Sequence, residues 1–284
     1  MTRIDAVIVS WRSGPEIDRC LASLAEHAAE ALASVTVVDS GSGDGTADAV
    51  AAAWPSIRVE ALNDNVGFGA AANHGIACGA AELALLLNPD TQVAPDAVSR
   101  LVATLDRETG AFGAAPLLIG PDGRTQHRWQ LRRLPTVWRL ATGRPGAPAF
   151  RTPPTDVRPV PQPAAAAWLV RRSRWAELGG FDPRFRPAWW EDVDLCARLA
   201  ESGGGRSGTG FLVEPLATVY HMGGSSVPRL GRTVFLAAYH RNLLRYAAAY
   251  HPHRLPLIRA TLRTVLAIRG RGRPELSALR EGLR

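Results

Sequence analysis

The chain predicts an α/β fold, a mostly parallel, doubly wound sheet with a helical C-terminal tail, on three observations. The first half alternates short β-branched runs with longer alanine-rich stretches, the pattern of parallel strands joined by crossover helices. Those runs end in small, acidic or amide residues, as expected where strand ends line a ligand crevice. Beyond residue 229 the strand pattern gives way to helical stretches rich in arginine.

The predicted strands are Ile4 to Ser10, Val35 to Asp39, Ile57 to Ala61 and Leu83 to Leu87, each a short apolar run between turn signals. Helices fill the intervals at Pro15 to Leu32, Gly45 to Ala53 and Gly69 to Ala80. Another spans Pro95 to Leu105, with proline in its first turn. After a strand at Phe112 to Ile119, Pro121-Asp122-Gly123 is a hairpin-type turn leading into Thr125 to Trp129. From about Thr142 to Pro163, prolines and arginines crowd a stretch without periodicity, which reads as a long loop, either a flexible insertion or a lid over an acceptor site. Order resumes with Ala164 to Val170, a helix near Ser173 to Leu178, a helix from about Trp190 to Ala200, an extended run Gly210 to Tyr220, and helices to the end.

A chain of 284 residues with 46% hydrophobic content accommodates one large domain and a modest appendage. The expected division is a domain over 1–228, with a first half at 1–110 and a second at 111–228, and a basic extension over 229–284. Cys20, Cys78 and Cys196 form no CxxC pair, which argues against a zinc knuckle or disulfide framework and fits a reducing cytoplasm. No apolar run reaches the roughly 20 residues of a membrane span. The net charge of +7 does not point to nucleic acid: residues from Arg229 onward carry 12 arginines against Glu275 and Glu281, a net of +10, leaving the rest at −3.

Five places carry candidate chemistry. The first strand ends in Ser10-Trp11, and the second in Asp39 followed by a glycine-rich turn; a carboxylate there suits a base imide or ribose hydroxyl, while Asp44 and the glycines also read as a cap and a turn. The small residues of Asn65-Val66-Gly67 through Asn73 would let backbone approach a diphosphate at a helix start. The turn after the first strand lacks GxGxxG, which disfavours a nicotinamide enzyme. Asn88-Pro89-Asp90 follows the buried fourth strand; Asp90 is placed to hold a divalent cation shared with two phosphates, and the tripeptide also reads as a proline turn. Trp189-Trp190-Glu191-Asp192-Val193-Asp194 sets three acids at a helix start, favourable for the macrodipole alone, beside two aromatics that can stack on a sugar and raise a carboxylate toward a general base. His221 follows an extended segment, as a structural side chain or a ligand.

The order of VIVSWRSG, VVDSGSGDGT, NVGFGAAANHG, LLLNPDTQV, GGFDPRF, WWEDVDLCARL and VYHMGGSS, over about Ile4 to Ser225, resembles the family 2 glycosyltransferases, which have the GT-A fold. The resemblance implies an inverting transfer of a sugar from a nucleotide diphosphate donor to an acceptor hydroxyl. Ser10, Trp11 and Asp39 would hold the base, and Gly67 and Asn73 would lie beside the donor. Asp90, the last acid of the family's DxD motif, would bind Mg2+ or Mn2+, with His221 completing the metal site. Asp192 would be the catalytic base, with Glu191 supporting it and Trp189, Trp190 and Asp194 facing the acceptor. Asn88 replaces the first DxD aspartate, so it can donate to the ligand yet brings no charge to the metal. The NPD form resembles the branch using dTDP-L-rhamnose, with UDP-sugars as the alternative donors, glycan or polyprenyl-linked acceptors, and a role in cell-surface polysaccharide synthesis. The competing expectations are a non-catalytic sugar-binding member of the fold and a sugar nucleotidyltransferase, whose basic glycine-rich first loop VSWRSGPE does not reproduce.

In the tail, Leu255, Ile258, Leu262 and Val265 share one helical face with Arg259 and Arg263 opposite. Such a helix either packs on the domain or lies on the inner face of the cell membrane.

Overall fold

The computed structural model describes residues 4–204, 210–224 and 226–269. Ser225 and the last part of the basic extension, 270–284, lie outside them. The N-terminal half alternates β1 (Ile4–Ser10), α1 (Gly14–His27), β2 (Leu32–Asp39), α2 (Thr46–Ala53), β3 (Arg58–Ala61), α3 (Phe68–Ala77) and β4 (Leu83–Leu87). It continues through β5 (Thr91–Val93), α4 (Ala97–Arg107), β6 (Gly113–Ile119), α5 (His127–Gln130), β7 (Leu131–Arg132) and α6 (Val137–Ala141). The remainder is β8 (Arg158–Val160), β9 (Gln162–Pro163), β10 (Ala167–Arg171), α7 (Arg172–Leu178), α8 (Glu191–Leu199), β11 (Phe211–His221), α9 (Ser226–Leu230), α10 (Arg232–Tyr250) and α11 (Leu255–Arg269).

Among the described residues one sheet runs β3-β2-β1-β4-β10-β6-β11-β5, with β8 also on β11. Its β3-β2-β1-β4 half is parallel; β10 enters antiparallel between β4 and β6, and β11 returns parallel to β6. The fully buried β1 and β4 form the middle because both faces are covered. On one face Ile17, Cys20, Leu21 and Leu24 of α1 meet Ile8, Leu85 and Leu87; on the other, Ala71, Ala72 and Ile76 of α3 meet Val7, Val9 and Leu86.

Three local departures from the sequence reading shape the site. The helix expected to Leu32 stops at His27, and β2 starts early because Ile4 pairs with Leu32, so sheet pairing overrides the helix-forming alanines. The turn at Gly120–Arg124 closes only the Ile119–Thr125 bridge before the chain enters α5, so no hairpin continues. The long loop does not end free: β8 pairs antiparallel with β11 and β9 with β7. Pro159 and Pro163 sit in these short pieces, where a missing N–H costs least.

The tail packs on the domain. Ile258, Leu262 and Leu266 are buried in a third cluster with Leu140 and Ala141 of α6, Leu243 of α10, and Trp190, Val193 and Ala197 around α8. The apolar face of α11 therefore points inward, while Arg259 and Arg263 are exposed. Of the two readings of this face, packing on the domain is the one its burial supports. No helix among the described residues is long and apolar enough to cross a membrane.

Candidate active site

Asp90 and His221 are brought together by a strand the sequence did not announce. The three residues of β5 pair antiparallel with the end of β11, with Thr91 opposite His221, and the Met222 amide donates to the Asp90 carbonyl at 3.1 Å. The Gly223 amide donates to Asp90 Oδ2 at 3.2 Å. Gly223 has φ 72°, a left-handed conformation that favours glycine, and it sits in contact distance of the His221 ring.

The histidine's tautomer follows from its neighbours. Gln126 Nε2 donates to the His221 carbonyl at 3.0 Å, which turns its Oε1 toward His221 Nδ1, 2.8 Å away. Nδ1 must then carry the proton, and Nε2 presents a lone pair toward Asp90 Oδ1, 3.6 Å away. Burial holds the imidazole below its ordinary pKa, although Asp90 pulls the other way. A neutral nitrogen lone pair and a carboxylate facing each other at that distance fit a shared cation. Trp129, 49% exposed, stacks on the His221 ring with centroids 5.5 Å apart and planes 21° from parallel.

Asp192 lies in the first turn of α8 and is buried. Its Oδ2 accepts from Gln162 Nε2 at 3.0 Å and stands 3.7 Å from Arg132 Nη2, while Arg132 Nε donates to Gln162 Oε1 at 2.9 Å. The short β7–β9 pair sets this triangle by placing Arg132 opposite Gln162. Burial raises the Asp192 pKa, and Arg132 opposes that rise. Glu191 is raised well above its ordinary value by burial, then by Asp192 and Asp194, and its Oε2 finds no partner among the described residues. The backbone of 164–166 joins the two halves of the site: the Asn88 amide donates to the Ala166 carbonyl at 2.8 Å, and Asp192 lies against the Ala165 backbone.

The turn that presents these acids is strained. Trp189 and Trp190 have φ of 70° and 81°, unusual for bulky residues, at a cost of about 1–3 kcal/mol each. The tail holds them there. Asn242 of α10, fully buried, donates through Nδ2 to the Ala188 and Trp189 carbonyls at 3.0 and 3.1 Å, and Trp190 packs against Tyr239 and Tyr246.

Several residues assigned to ligands by the resemblance have protein partners instead. Trp190 is a core side chain, buried against α10, so it offers no open face to an acceptor; Trp189 packs edge-on to Phe235. Asp194 accepts from Arg198 Nε at 2.9 Å and from the Tyr250 hydroxyl at 2.9 Å, which makes it a joint between α8 and the tail. Both ends of the Asn73 amide are taken by Phe181, donating to its carbonyl at 2.7 Å and accepting from its N–H at 2.9 Å. Gly67, at φ 89°, is pressed against Pro187, whose carbonyl accepts from the Phe68 amide at 2.7 Å and so takes one of the amides at the helix start foreseen for a diphosphate. Asp39 accepts from the Ser42 hydroxyl and amide at 2.5 and 3.0 Å, organising the glycine turn beside Ser10, Trp11 and the end of β1. Ser10 Oγ is buried and finds no partner among the described residues. Asn88 and Asp90 stand at the end of β4, at the carboxyl edge of the sheet where α/β folds bind ligands.

Four residues of the site escaped the sequence reading: Gln126, Trp129, Arg132 and Gln162. All lie in short elements without periodicity. A glutamine between two prolines, Pro161 and Pro163, was the one available hint.

A model of glycosyl transferase family 2 matches residues 5–173. The N-acetylglucosaminyl-diphospho-decaprenol L-rhamnosyltransferase of Mycobacterium tuberculosis is 33% identical over 291 residues, covering 94% of this chain and 91% of that one. The solved structure of GalNAc-T7 with UDP, GalNAc and Mn2+ superposes with a TM-score of 0.61 at 17% identity over 89% of this chain; the alignment spans 51% of that protein, about half its length. A mannosyltransferase from Pyrobaculum calidifontis, solved with GDP-Man and Mn2+, gives 0.58 at 17% identity, covering 98% of this chain and 73% of the other. The fold is GT-A, and with a family match over more than half its length and an end-to-end relative, the chain belongs to glycosyl transferase family 2 and is a glycosyltransferase resembling the rhamnosyltransferase branch.

Proposed function

We propose that the chain is an inverting rhamnosyltransferase that moves L-rhamnose from a dTDP-linked donor to a hydroxyl of a polyprenyl-diphosphate-linked N-acetylglucosamine, a step in building cell-surface polysaccharide. The observation carrying the substrates is the end-to-end relative named for such a reaction. The facing acceptors of Asp90 and His221, with a buried acid at Asp192, support the chemistry. Asp192 takes the acceptor hydroxyl proton as that oxygen forms its bond to the anomeric carbon and the bond to the donor diphosphate breaks. A base so placed is worth about 100- to 10,000-fold in rate. Asp90 and His221 would hold Mg2+ or Mn2+, which when bound supplies positive charge to the departing diphosphate. Ser10, Trp11 and Asp39 line the crevice for the base, and Asn88, uncharged, faces the donor without adding to the metal's charge. Glu191 supports Asp192 as its buried neighbour in the first turn of α8.

Purified chain given a panel of dTDP-, UDP- and GDP-sugars with Mn2+ and a polyprenyl-diphospho-N-acetylglucosamine acceptor tests this directly. Rhamnosylated lipid from dTDP-rhamnose alone is the expected product. Transfer from another sugar nucleotide with none from dTDP-rhamnose refutes the donor, and hydrolysis without transfer refutes the acceptor.

A further inference from the structure

A second group of metal-ligating side chains lies on the outer edge of the sheet. Glu60 sits on the edge strand β3, and His74 and Cys78 are four residues apart at the end of α3, spacing that stacks them on one helical face. One ligand atom from each of the three lies within 4.8 Å of the others. His74 Nε2 stands 2.9 Å from Glu60 Oε2, and Arg58 holds the other carboxylate oxygen, Oε1, at 2.6 Å, which fixes which oxygen faces the histidine.

We propose that Glu60, His74 and Cys78 bind a borderline divalent ion of the Zn2+ class, at a site separate from Asp90 and His221. The donor set selects the ion: imidazole, thiolate and one carboxylate oxygen suit Zn2+, whereas Mg2+ and Mn2+ prefer oxygen. Two ligands at about 2.0 Å in tetrahedral geometry stand about 3.3 Å apart, so the Glu60–His74 pair opens by only about 0.4 Å to admit the ion. Both side chains are part-exposed and can make that shift. On binding, the Cys78 thiol releases its proton to solvent, and the fourth position is left to water. The ion would clip the four-residue strand β3, which among the described residues pairs only with β2, to α3.

Cobalt(II) titration of the reduced full-length chain, in excess Mg2+ to fill the Asp90 site, tests this independently of any transfer activity. The thiolate gives a ligand-to-cobalt charge-transfer absorption that Asp90 and His221 cannot produce, and Cys78 is the accessible thiol, since Cys20 and Cys196 are buried. The expected result is a band saturating at one equivalent, displaced by Zn2+, retained in Asp90→Asn, lost in Cys78→Ser and weakened more than about tenfold in affinity in His74→Ala. A band that survives Cys78→Ser, or no band in the folded wild-type chain, overturns the site. Zn2+ should also raise the Tm of wild type and leave that of Cys78→Ser unchanged; equal shifts in both would count against it.

Discussion

At the scale of the residue, the site depends on side chains that settle the protonation of others. Gln126 fixes the His221 tautomer through two hydrogen bonds. Gln126→Leu is expected to weaken Mn2+ binding about 10- to 100-fold by calorimetry, because the ring is then free to turn its lone pair away. Asp192→Asn should remove turnover by at least about 100-fold while donor binding, read by thermal shift, stays intact. The pH profile carries a sign. A base must be ionised, burial raises Asp192, and so the acid limb of kcat/KM should lie above the ordinary carboxylate range, with activity gained as pH rises through it. Arg132 works against that rise, and Arg132→Met is expected to move the limb to still higher pH; a limb that stays put would separate Arg132 from the base.

At the scale of the element, the acidic helix is presented from behind by α10. The left-handed turn at Trp189–Trp190 is held by Asn242 and by the packing of Trp190. Displacing a catalytic group by about 1 Å costs about 100-fold. Asn242→Leu is therefore expected to lower kcat by about 10- to 100-fold with donor affinity retained, and unchanged kcat would show that the turn holds its shape unaided. Helix α8, the strands of the parallel half and the last strand β11 were legible because their apolar residues form runs long enough to stand out between turn signals. The pieces β5, β7 and β9, two or three residues each, were not: a strand that short has no period, and it exists only because a distant partner completes its ladder.

At the scale of the whole molecule, the division at residue 228 suggested by charge does not follow the packing. The third hydrophobic cluster mixes Phe185, Trp190, Val193 and Ala197 with Leu243, Tyr246, Ile258 and Leu262. A chain truncated after Leu230 uncovers that surface and strands Asp194, whose partners include Tyr250. It is expected to lose cooperative thermal unfolding and to bind a hydrophobic dye, whereas a sharp transition would show that the first 230 residues fold alone. By itself the sequence determined the α/β class and the family, and it singled out Asp90, Asp192 and His221 as candidates, because apolar runs, motif order and the residues that follow a strand are local properties. Only the tertiary structure decided which of the neighbouring residues are held by protein partners. Trp190, Asp194 and Asn73 carry the right chemistry for facing a ligand, yet Tyr246, Tyr250 and Phe181, which engage them, lie more than 50 residues away in the chain, and no local pattern encodes a contact across that distance.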